Sequence, residues 1–139
     1  MAESRDLAEF NLVYGQADSL VKGFPEAQFK TVAALFVIIG WLLTANTAQA
    51  FIRSHASVLL PATIAAMAML VLFKALWIYG YYRRVQVLHS RLILLGRAQG
   101  FSLETVDVFS AGPVVPVTFF LVNAVVCASI VCVVRLICA

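Results

Sequence analysis

Lys74 is the residue whose type and setting most directly invite chemistry. It interrupts the apolar run MAMLVLFKALW, Met67 to Trp77. An ionisable group inside a membrane segment costs about 2.5–3.5 kcal/mol on insertion scales and counts as a functional candidate by default, here a counter-charge or a ligand for a lipid phosphate. Trp77, Tyr79, Tyr81 and Tyr82 follow closely, then Arg83 and Arg84. Aromatic residues and paired arginines mark a membrane–water boundary. Lys74 then lies within about one turn of that boundary, and its long stem is expected to carry the ammonium out to the headgroups. Lys74, Trp77, Arg83 and Arg84 are therefore the candidate contacts to lipid headgroups or the interface.

Asn123 is the second candidate. It sits near the middle of the last apolar run. An amide at that depth hydrogen-bonds across a helix interface, and Asn46 and Gln49 are its expected partners. Gly40, Thr44 and Ala48 recur every four residues, with Ala62, Ala66 and Leu70 as a less complete second row. Small residues at that spacing let helices approach closely. Gly40, Thr44, Ala48 and Asn123 are thus the candidate packing or partner contacts.

Other chemistries find less support. Cys127, Cys132 and Cys138 form no CxxC pair and have no histidine nearby, so they read as small apolar side chains rather than as a disulfide or zinc framework. His55 and His89 fall on opposite sides of the membrane in the topology below, and neither is placed to share a metal or haem with the other. There is no glycine-rich phosphate loop, no HExxH, and no serine or cysteine evidently set against a histidine base. Glu104 and Asp107 are two nearby acids in a loop, which is a poor case for catalysis. The expectation is a non-enzyme without cofactor or metal.

Elements that could position these residues follow from composition. The 139 residues are 63% hydrophobic and 12% charged. Soluble domains carry about twice that charge, so part of the surface must face lipid. The net charge of +3 arises from basic residues beside apolar runs, which suits membrane orientation better than nucleic-acid binding. Residues 1–24 read as an amphipathic helix, with Leu7, Phe10, Tyr14, Ala17 and Val21 on one face. Gly23 and Pro25 read as a break, with a new helix starting near Pro25. Residues 25–139 form the membrane domain, with spans at about 31–52, 57–76 and 114–134.

The first span ends in TANTAQA, whose Ala48-Gln49-Ala50 imitates a leader-peptide cleavage site. The 30 residues before it carry five acids, unlike a short basic leader, so the span reads as an uncleaved signal anchor. After the second span the helix is expected to continue to about Gln99, with Val85, Leu88, Leu92 and Leu95 in one stripe and Arg84, Arg91 and Arg97 largely elsewhere. Gly100 stops it. Ser102 caps a further turn, and Ala111-Gly112-Pro113 leads into the last span, closing a cytoplasmic helix and loop over 83–112.

The fold class is all-α integral membrane protein: three transmembrane helices, an amphipathic N-terminal helix and a cytoplasmic helical extension of the second span. Three basic residues precede the first span, four follow the second, and one follows each of the others. The positive-inside rule then places the N-terminus in the cytoplasm and the C-terminus outside, with a bacterial inner membrane as the expected location. The expected function is a non-catalytic accessory or structural subunit of a larger membrane complex. Its partners would be membrane lipids and other membrane subunits or copies of itself. The alternatives are a self-assembling pore or membrane-disrupting effector of holin-like size, and a small oligomeric channel component. A pore would turn Asn46, Gln49 and Asn123 to its lumen, and a channel would turn Lys74 or Asn123 to an aqueous path.

Overall fold

In lipid every backbone group must find its partner within the protein, and a helix achieves this within one segment. The computed structural model describes residues 2–100 and 114–139, with side chains from Leu7 onward. These residues form four helices and no strand: α1 Ala2–Thr44, α2 Asn46–Ser54, α3 Ala56–Ala98 and α4 Val114–Cys138. Three of them, α1 from Leu7, α3 and α4, are long and apolar enough to cross a membrane, with mean hydropathies of 1.6, 2.3 and 2.6 in their most apolar windows. The cap at Ser102, the acids Glu104 and Asp107 and the Ala111-Gly112-Pro113 turn lie outside the described residues, as do the side chains of Glu3, Arg5 and Asp6.

α1 and α3 each run 43 residues, about 65 Å at 1.5 Å per residue. A hydrocarbon core is about 30 Å thick, so roughly half of each helix extends beyond what a membrane crossing needs. α3 ends where the sequence places its stop: Gly100 adopts φ +74°, a left-handed conformation that glycine takes without a Cβ penalty.

Three boundaries differ from the sequence expectation. First, α1 does not break at Gly23 and Pro25 but runs through both. Proline removes one helical hydrogen bond and crowds the carbonyl four residues back. Beside it, Phe24 is buried and stacks on Tyr81 with ring centroids 3.9 Å apart and planes 15° apart, a tertiary contact that favours the continuous helix.

Second, the expected 31–52 span is two helices. α1 stops at Thr44, Ala45 is extended (φ −88°, ψ 96°), and α2 follows. The polar TANTAQA stretch supplies the reason. Gln49 Nε2 donates to the Leu42 and Leu43 carbonyls, both at 3.0 Å. These are C-terminal carbonyls that an ending helix leaves without helical partners. Arg53 Nε likewise donates to the Ile137 carbonyl at 3.1 Å, in the last turn of α4. α2 is a short capping segment for two longer helices. Third, α4 continues to Cys138, four residues past the expected end.

The chain divides into two compact units, Met1–Ala27 with Tyr79–Pro116, and Gln28–Ile78 with Val117–Ala139. The first has a core of Val13, Ala17 and Leu92, flanked by Phe10, Val21, Leu88, Ile93 and Leu95. Leu7 and Tyr14, assigned to the apolar face by spacing, are instead 44% and 43% exposed. The buried stripe is turned toward Val13. On α3, Val85 and Leu92 are buried while Arg84, Arg91 and Arg97 are exposed.

The second unit has a core of Leu35, Leu42, Ile52, Val126, Cys127, Ile130, Val134 and Ile137. Its buried positions recur at sevens, Gln28, Leu35 and Leu42 on α1 and Asn123, Ile130 and Ile137 on α4. A seven-residue repeat keeps one seam on one side of a helix.

Candidate functional site

The buried polar side chains of the second unit, Gln28, Lys74 and Asn123, each meet a partner from another helix or from their own. α1 contributes Gln28 and, one turn on, Thr31. α3 contributes Lys74 and Trp77. α4 contributes Asn123 and, one turn on, the buried thiol of Cys127. Asn123 Nδ2 donates to Gln28 Oε1 at 3.2 Å and to the Phe119 carbonyl at 2.8 Å. Both amides are almost wholly buried, at 0% exposure for Gln28 and 2% for Asn123. Phe29 and Phe119 pack edge to face beside them, with centroids 5.7 Å apart. Among the described residues Gln28 Nε2 and Asn123 Oδ1 are buried without a hydrogen-bond partner, so each amide uses only part of its capacity there.

Lys74 is also buried, at 8% exposure. Its ammonium donates to Thr31 Oγ1 at 2.9 Å and lies over the Trp77 ring, 5.0 Å from the centroid. The expected outward reach is not what this side chain does: it turns to α1 and to an aromatic face, the electron-rich surface that attracts a cation. Among the described residues no carboxylate pairs with it.

Chemically, the cluster is rich in donors and lacks a base set against a nucleophile. What it does is join helices. The amide pair ties α1 to α4, and Lys74 with Thr31 ties α3 to α1. Replacing Asn123 with leucine should destabilise the second unit by about 1–2 kcal/mol, since membrane interhelical hydrogen bonds average about 0.6 kcal/mol with a maximum near 1.7 and Gln28 would lose its remaining bond. Gln28→Leu should act similarly. The double variant should be at least as stable as either single one, because removing both partners leaves nothing orphaned. Unfolding by detergent titration in bicelles reads this. Additive losses in the double variant would show that the pair is not coupled.

The other candidates are scattered. Gly40 is exposed, and a Cβ built on it meets no heavy atom within 4 Å. Thr44 is exposed with its hydroxyl donating to the Gly40 carbonyl at 2.8 Å. Ala48 leaves the row because α1 has ended. It lies on α2, where it lines an apolar groove of about 570 Å³ with Trp41, Phe51 and Met67. Asn46 is exposed and Gln49 caps α1, so neither is the partner of Asn123. Trp77 is 39% exposed, and Arg83 and Arg84 are exposed.

His55 meets Ser54 Oγ at 2.8 Å and the Phe51 carbonyl at 3.1 Å through Nδ1. Among the described residues no three histidine, cysteine or acidic side chains gather as a metal site.

Sequence reasoning missed Gln28, Thr31 and Arg53. Gln28 had a signal, since it lies seven residues before Leu35 and fourteen before Leu42 and so shares their helix face. Gln28 precedes the apolar run, so hydropathy does not mark it. No protein-family model matches the chain, and no curated protein or solved structure matches it.

Proposed function

We propose that the chain is a non-catalytic accessory or structural subunit of a larger membrane protein complex, which it holds together by close helix packing. The observation that carries this reading is the open face of α1 around Gly40. Glycine within a helix costs about 0.8–1.0 kcal/mol relative to alanine. Among the described residues nothing packs at this position: a Cβ there would meet no neighbour, as at Gly15, Gly23 and Gly80, but Gly40 alone of these lies in a row of small residues with Thr44 in the apolar part of α1. A partner helix would require it. In lipid, hydrophobicity does not drive helices together, and association depends on close backbone approach at small residues. Thr44 extends the face without an unsatisfied hydroxyl. Phe36, Val37 and Trp41 flank it, each more than half exposed.

The polar cluster supports the same reading. Lys74 and Asn123, the residues a channel or pore would turn to an aqueous path, are engaged with Thr31 and Gln28, and Gln49 is engaged with the end of α1. We place the N-terminus in the cytoplasm and the C-terminus outside on the basic-residue distribution, in a bacterial inner membrane.

The test is purification of the tagged chain from its native membrane in gentle detergent, with mass spectrometry of what accompanies it. Unrelated chains in stoichiometric amounts are the expected result. A clean homo-oligomer would overturn the subunit reading in favour of a self-assembling pore.

A further inference from the structure

The strongest unassigned feature lies in the first unit. Between the N-terminal part of α1 and the α3 extension runs an open cleft of about 600 Å³, within the roughly 300–1,000 Å³ range of small-molecule sites. Arg83 and Arg84 stand on its α3 wall, Gln16 and Ser19 on its α1 wall, and Leu20 and Leu88 contribute apolar surface. Neither guanidinium makes a hydrogen bond or ion pair among the described residues. Two adjacent, exposed arginines beside an apolar surface, with no ion pair among the described residues, ask for an anion with an apolar tail.

Depth along α3 says which anion. Tyr79, Tyr81 and Tyr82 come just before the arginine pair, and such aromatic residues sit at headgroup level. We infer that this cleft is a binding site for an anionic glycerophospholipid, with the phosphate held by Arg83 and Arg84 and the start of an acyl chain laid on Leu20 and Leu88. Guanidinium is suited to phosphate because its planar fork can donate two parallel hydrogen bonds. Gln16 brings a further amide donor. The Ser19 hydroxyl, which donates to the Gln16 carbonyl at 3.0 Å, keeps acceptor capacity for a headgroup hydroxyl. Basic pockets between helices recognise headgroups in this way. The site is independent of the subunit reading, since it would be filled in a lone chain or in a complex.

The test is native mass spectrometry of the full chain in mild detergent, titrated with phosphatidylglycerol and, separately, with phosphatidylcholine. The wild type is expected to hold phosphatidylglycerol on the order of tenfold more tightly than phosphatidylcholine. The Arg83→Gln/Arg84→Gln variant should lose that preference. Arg91→Gln/Arg97→Gln, which removes the same charge from elsewhere on α3, should keep it. Ser19→Trp fills the cleft without changing charge and should lose it. Retention in Arg83→Gln/Arg84→Gln, or equal loss in Arg91→Gln/Arg97→Gln, overturns the assignment. Retention in Ser19→Trp shows diffuse attraction rather than a built cleft and overturns it as well. Displacement of the lipid by millimolar inorganic phosphate would reassign the cleft to free phosphate.

Discussion

On the subunit reading proposed above, replacing Gly40 with leucine is expected to leave the chain folded while dissociating it from partner subunits. The two effects separate because of where Gly40 sits. A side chain there meets no neighbour among the described residues, and leucine favours helix over glycine by most of a kcal/mol, so the fold of the variant should be unharmed or slightly firmer. A partner helix packed against Gly40 would be pushed away by the new side chain, losing the close approach on which association in lipid rests. Copurification from native membranes should fall by on the order of tenfold or more, which takes only about 1.4 kcal/mol of lost contact. Gly40→Ala should give a smaller loss. If Gly40→Leu copurifies with its partners as the wild type does, the open face is ordinary lipid-facing surface and the close-packing reading fails at this position.

Replacing Leu92 with alanine should produce the largest loss of stability, about 2–5 kcal/mol, the range for deleting a fully buried leucine side chain. Leu92 has no exposed surface and forms the centre of the first unit's core with Val13 and Ala17. That core is small, and few neighbours are available to collapse into the space. The loss should be local, since the second unit has its own core. Hydrogen exchange should therefore quicken over residues 10–24 and 85–98 while α4 keeps its protection. Uniform quickening in both units would instead mean that the chain unfolds as one cooperative body.

The legible part of this protein was the part that depends on neighbours in sequence. The apolar runs that became α3 and α4 announce themselves by length and hydropathy, and the end of α3 at Gly100 follows from the one residue type that accepts its backbone conformation. The stripe Val85, Leu88, Leu92, Leu95 followed from period alone and faces inward. The N-terminal stripe was less legible. Its apolar residues spread around the helix, so spacing admitted Leu7 and Tyr14, and only packing against α3 selected Val13 instead.

The candidate site was legible in its members but not in its pairings. Lys74 and Asn123 stood out as polar groups in apolar runs. Their partners Thr31 and Gln28 lie 43 and 95 residues away along the chain, and hydropathy carries no information about which helices meet or at what height. The same holds for the boundaries that moved. Pro25 is a local signal for a break, and the Phe24–Tyr81 stack that accompanies its absence is a contact across 57 positions. TANTAQA reads as the polar end of a span until Gln49 and Arg53 are seen to cap α1 and α4. By itself, then, the sequence determined that the described residues are helical, with three helices fit to cross a membrane, because each helix satisfies its own backbone and declares its own solvent. Only the tertiary structure decided which buried donor meets which acceptor, since rotation and axial register of one helix against another are set by packing between segments distant in sequence.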